Sequence, residues 1–158
     1  MRWPKPIARI GDLMLNDATI TARWEHFPHG ADIGIRGIGA TRSQAFEQAA
    51  LALTAAITPL EKIRALTAIA IGCASADCEF LFVDWINALI FEMATRSMLF
   101  SRFQVTLDDA MLSATAWGEP VDIARHCPAV EPKGATFTEL AVGQDHEGTW
   151  FAQCVVDV

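Results

Sequence analysis

The sequence predicts an α+β fold in which two main helices pack between β-sheets, giving a three-layer β-α-β sandwich. Three observations predict it. At 158 residues and 52% hydrophobic, the chain can close one sizeable core and is too short for two. Residues 78–96 carry Phe80, Leu81, Phe82, Val83, Trp85, Ile86, Leu89, Ile90, Phe91 and Met93, apolar around nearly the whole circumference of a helix, so that helix needs cover on both sides. The last third of the chain reads as strands that supply such cover.

Taken in order, residues 1–22 stand apart. Two prolines and a mixed stretch lead to the alternating run Thr19-Ile20-Thr21-Ala22, an N-terminal extension or an extra strand before a domain expected over 23–158. Arg23–Phe27 and Ile33–Gly39 read as strands around a turn at Pro28-His29-Gly30; Ile33 and Ile35 share one face, and Asp32, Gly34 and Arg36 the other. Thr41-Arg42-Ser43-Gln44 fits a capping box, with Thr41 accepting the Gln44 amide and the Gln44 side chain reaching back. The helix it starts runs to about Ile57 and stops before Pro59. Phe46, Ala50, Leu53 and Ile57 line one stripe, and Ala45, Ala49, Ala52 and Ala56 a second that permits close approach. Leu66–Cys73 reads as a strand, after which Ser75 or Asp77 caps the second helix, ending near Arg96. Phe103–Leu107, Leu112–Trp117, Glu131–Val142 and Thr149–Val158 read as strands, with turns at Asp108-Asp109 and around Gly143–Gly148.

Charge narrows the function. A formal net charge of −7 weighs against direct nucleic-acid binding, which needs clustered Lys and Arg, and suits a basic protein partner or a cation. Arg9, Asp12 and Asp17 interrupt anything resembling a secretory signal, and Asp84, Asn87 and Glu92 break the apolar window Phe80–Met93 below membrane-span length. A cytoplasmic protein with no membrane contact is expected. Cys73, Cys78, Cys127 and Cys154 form no CxxC pair and are expected as buried, reduced thiols.

Most catalytic patterns are missing. Gly34-Ile35-Arg36-Gly37-Ile38-Gly39 precedes a helix, but Arg42 stands where a dinucleotide loop needs its third glycine; alternating glycines point instead to a bend or a close backbone approach. Ala74-Ser75-Ala76 lacks the glycines of a nucleophile elbow, and Asp108-Asp109 reads as a turn. His26, His29 and Asp32 could offer three zinc ligands only if the turn folded them together, since residues three apart on a strand face opposite ways. At the tail, Asp157 precedes Val158, whose main-chain carboxylate adds a second negative group. If that strand lies beside the turn bearing Asp32, three carboxylates converge, an arrangement that a hard cation would stabilise. Chain ends usually fray, so Asp157 by itself reads as a solvated terminal charge, whereas the apolar run Trp150–Val156 argues that the tail stays docked.

Several ordered motifs resemble the archease family: Trp24-Glu25-His26-Phe27-Pro28-His29-Gly30-Ala31-Asp32-Ile33-Gly34-Ile35, similar to its HTADIGI-type opening; Phe46–Leu53; Leu81–Ile90; Gly118-Glu119-Pro120 with Asp122 and His126; Lys133–Leu140; and Val155-Val156-Asp157-Val158. The resemblance runs from Trp24 to Val158. It implies a small, non-catalytic accessory protein of RtcB-type RNA ligases, one that helps the ligase become guanylated and turn over repeatedly in tRNA splicing or RNA repair. It also implies a divalent-metal site, with calcium the expected ion, at Asp32, Asp157 and Val158, and it agrees with helices between sheets. His29, His126 and Lys133 are expected either to bond the metal's ligands or to face a partner. Gly30, Thr138 and Pro132 depart from the family pattern, and no role is given to Thr138. Two other readings stay open: a general chaperone or adaptor with a structural metal, and a metal-dependent hydrolase with His29 as its base.

Overall fold

The computed structural model describes residues 20–158. The expectation of an N-terminal extension or extra strand over 1–22 therefore lies largely outside the described residues; positions 20–22 form no strand.

Strands β1 (Arg23–His29) and β2 (Asp32–Gly39) make an antiparallel hairpin in which His29 pairs with Asp32 across Gly30 and Ala31. The turn sits later than expected because Pro28 stays in the strand. That is possible since β1 is an edge strand, where a residue without an N–H breaks no ladder. Gly30 takes φ +59°, the left-handed region a two-residue turn requires and glycine enters without strain.

Helix α1 (Arg42–Ile57) is capped by Thr41, whose hydroxyl accepts the Gln44 N–H at 3.1 Å. The reciprocal bond falls one residue earlier than a capping box would put it: Gln44 Oε1 accepts the Ala40 N–H at 2.8 Å. Beneath α1, a Cβ on Gly37 would overlap the Ala45 carbonyl and the Ala49 amide, so the glycine and the alanine stripe together bring helix and sheet into close contact. Helix α2 (Cys78–Arg96) follows strand β3 (Thr67–Ala74); Asp77, not Ser75, caps it by accepting the Glu79 and Phe80 N–H groups at 2.9 and 3.0 Å. Strands β4 (Met98–Leu107) and β5 (Met111–Pro120) extend beyond the expected segments and meet at Asp108, which accepts the Met111 N–H at 3.1 Å.

The expected strand over Glu131–Val142 divides into β6 (Gly134–Ala135) and β7 (Ala141–Gln144). Between them Glu139 has φ +56°, and Thr136 bonds Val155 with both its amide and its hydroxyl, so the chain leaves the ladder and returns. A four-residue helix, α3 (Ile123–His126), was absent from the sequence expectation, and β8 (Trp150–Asp157) closes the chain.

Among the described residues all strand pairs are antiparallel. One sheet runs β1-β2-β8-β6, with β7 also on β8; the other runs β3-β5-β4. Helix α1 touches β1, β2 and β8 on one side and β4 on the other, while α2 touches both sheets, so the helices form the middle layer as expected. Trp85, wholly buried, donates Nε1–H to the Phe46 carbonyl at 3.0 Å and meets Phe103 edge-on. The all-round cover expected for α2 is incomplete. Phe80, Asp84, Asn87 and Phe91, at i, i+4, i+7 and i+11, form one exposed stripe, and the polar pair in its middle marks the solvent side.

Candidate functional site

Strands β2 and β8 are neighbours with Ile33 opposite Val156, so one further step along the register places Asp32 opposite Asp157. Val156 is buried; alternation turns Asp157 to the outer face, where it is exposed, and Asp32 lies half-buried on that same face. The Val158 N–H points at Asp32 Oδ1, 3.4 Å away, and the Val158 side chain rests against the core. On the other edge of β8, Gly134 pairs with Asp157 and the Lys133 N–H donates to the Asp157 carbonyl at 2.7 Å. The tail is therefore anchored on both sides. Among the described residues no three His, Cys, Asp or Glu side chains gather into a metal-ligating group, and neither Asp32 nor Asp157 forms an ion pair. What meets at this end of the sheet is two side-chain carboxylates and the last residue.

The other expected residues are distributed unevenly. His29 faces Asp32 across the hairpin and is exposed; Lys133 is exposed beside Gly134. His26 lies against α1 instead, its Nε2 2.7 Å from the Ala52 carbonyl, so the His-x-x-His-x-x-Asp set does not converge. His126 corrects the expectation of a partner-facing group. It is fully buried, with Nδ1 accepting the Asp122 N–H at 2.9 Å and Nε2 3.1 Å from Glu119 Oε2. Because Nδ1 accepts, Nε2 carries the hydrogen and donates to Glu119.

Glu119, only 2% exposed, is the centre of a cluster that sequence reasoning missed. Arg125 binds both its oxygens at 2.9 Å in a fork, and Arg64 donates Nε–H at 3.0 Å and its backbone N–H at 2.8 Å. The Arg125 fork above all, with the Arg64 amide, holds the Glu119 carboxyl far below the usual carboxylate range, against the opposing pull of burial. Gly118-Glu119-Pro120 was visible as a motif, but nothing in the sequence pointed to its partner 55 residues upstream. The cysteines differ from one another: Cys154 is buried and its thiol is pushed up to about 12 by that burial, whereas Cys127 is exposed, against expectation.

Known proteins share this fold. A model of the archease protein family matches residues 24–158. The chain belongs to the archease family. The protein archease of Pyrococcus furiosus is 34% identical over 140 residues, 86% of this chain and 99% of the relative. That of Sulfolobus acidocaldarius is 33% identical over 138 residues, again 86% and 99%. The solution structure of protein 1598 from Methanobacterium thermoautotrophicum superposes with a TM-score of 0.76 at 29% identity, covering 85% of this chain and 98% of that one. The crystal structure of an archease from Thermotoga maritima, described as a possible chaperone, has a TM-score of 0.54 at 17% identity, covering 85% and 96%, and speaks for the archease fold alone. Among the described residues no helix is long and apolar enough to cross a membrane.

Proposed function

We propose that this archease is a non-catalytic, cytoplasmic accessory protein that activates an RtcB-type RNA ligase, promoting its guanylation and repeated turnover. The active element is an acidic divalent-metal site at Asp32, Asp157 and Val158. Family membership supports the class of function; the observation that carries the site is the approach of Val158 N–H to Asp32 Oδ1 at 3.4 Å, which joins the first hairpin to the tail. The donor set fits a hard cation, because it consists of oxygens alone and no described basic side chain neutralises it. Calcium, when bound there, would supply the charge that lets the carboxylates share one edge. Asp32 is positioned by the hairpin, Asp157 by its pairing with Gly134, and the Val158 backbone by its N–H contact with Asp32. Exposed His29 and Lys133 flank that edge and are available to a partner. The effect on the ligase is limited by the difference in affinity for its two states.

A guanylation assay of the cognate ligase with wild type and Asp32→Ala tests this reading. Wild type accelerates guanylation and Asp32→Ala does not; equal stimulation by both would remove the site from the mechanism. A second reading, a general chaperone or adaptor with a structural metal, is favoured by the apolar groove of about 560 Å³ lined by Ile57, Ile90, Met93, Val121 and Ile123. It predicts protection of an unrelated aggregating client, which the ligase-specific reading does not.

A further inference from the structure

We propose that the exposed pair Phe80 and Phe137, with the exposed carboxylates Asp84 and Glu139 that follow them in the chain, is a docking surface for an arginine-bearing segment of a protein partner. The proposal extends the ligase reading by naming a contact, and it rests on a different set of residues from the metal site.

The two rings lie 5.6 Å apart, tilted by 50°, with Phe80 52% and Phe137 68% exposed. A phenylalanine pair so open to water serves the core little and costs solvation, and it is fixed in place. Asn87 Oδ1 accepts the Ala135 N–H at 2.8 Å, which ties β6 to α2 and sets Phe137 against the first turn of that helix. Gly134, the partner of Asp157, stands three residues from Phe137, so at most about 11 Å of extended chain separates Phe137 from the acidic end. One surface can therefore present both.

Charge selects the occupant. Asp84 follows Phe80 by one helical turn and Glu139 follows Phe137 by two residues, and both are exposed. The chain carries 19 acidic against 12 basic residues, and Arg23, Arg36, Arg64, Arg96 and Arg125 are all engaged with its own carboxylates. Aromatic faces with carboxylates on the same surface attract a guanidinium, which stacks flat and loses its water more readily than an ammonium. Among the described residues this contact is made internally twice, with Arg36 over Phe27 at 4.8 Å and Arg102 over Trp117 at 4.3 Å. Among the described residues no cation covers Phe80 or Phe137. The same carboxylates repel phosphate, so stacked RNA bases are the poorer match.

Calorimetric titration with a synthetic peptide of alternating Arg and Leu, with its citrulline counterpart, and with single-stranded RNA tests the proposal on wild type and on the doubly substituted Phe80→Ala/Phe137→Ala protein. Both rings are exposed, so the variant should melt with wild type. The arginine peptide should bind wild type and lose roughly tenfold in the variant, and the citrulline peptide should bind neither. Equal binding by the variant, no binding at all, or ring-dependent binding of RNA would overturn it. The cognate ligase forms a parallel arm. If it binds wild type and the variant alike, this surface is wrong while the ligase reading stands; if it never binds wild type, the ligase reading fails and the peptide result alone decides this one.

Discussion

Glu119 stands one residue from the end of β5 and Asp32 opens β2; the same functional group at two strand ends meets opposite surroundings. Glu119 is buried and its oxygens are taken up by Arg64, Arg125 and His126. Asp32 is half-buried beside a second carboxylate, and its described contact is one long backbone N–H. A satisfied buried carboxylate joins the segments around it and has nothing left to offer a ligand. An unneutralised pair at an anchored sheet end contributes little to folding, and its oxygens are the ones the proposed cation would occupy.

Of the two carboxylates, Glu119 matters more to folding. Glu119→Ala leaves two guanidinium groups and the His126 donor without their acceptor, and it should cause the largest stability loss of any single carboxylate substitution here, read as the midpoint of urea unfolding. An Asp32→Asn protein without added metal should unfold within about 0.5 kcal/mol of wild type, since the group lies at a strand end away from the core. The ranking reverses for a calcium-dependent rise in Tm: present in wild type at about 5 to 10 °C under saturating ion, retained by any folded Glu119 variant, and lost in Asp32→Asn.

Acid sharpens the contrast. The folded Glu119 carboxyl titrates far below its unfolded value, so its stabilisation is complete above the unfolded value of about 4.5 and drains away as pH falls towards the folded one. Wild-type stability should decline steadily below about pH 4.5, and a Glu119→Gln protein, starting lower, should show a shallower decline over the same window. The smallest effect is expected where a carboxylate is paired at the surface. Glu92→Gln removes the i,i+4 ion pair with Arg96 on α2 and should cost no more than about 0.5 kcal/mol.

Local signals made much of this fold legible in the sequence. Thr41 and Pro59 bound α1, Asp77 starts α2, and the apolar tail Trp150–Val156 announces a docked strand, which is why the approach of Asp32 to the last residue could be anticipated. What escaped depends on partners distant along the chain. No periodicity links Arg64 to Glu119, and His126 looked like a surface group because a four-residue helix capped by Asp122 has too few turns to show a face. The stretch 131–142 alternates like a strand, yet Thr136 satisfies Val155 with its side chain and a left-handed Glu139 turns the chain away. Counting apolar residues around α2 concealed the exposed stripe, although Asp84 and Asn87 within it were the available clue.

Calcium titration of the metal-stripped protein by calorimetry, comparing wild type, Asp32→Asn and a form extended beyond Val158, probes the centre of the account most directly. Wild type should bind one ion per chain, and both altered proteins, still folded, should bind it at least about a hundredfold more weakly. Calcium bound equally well by all three would contradict the assignment of Asp32, Asp157 and Val158.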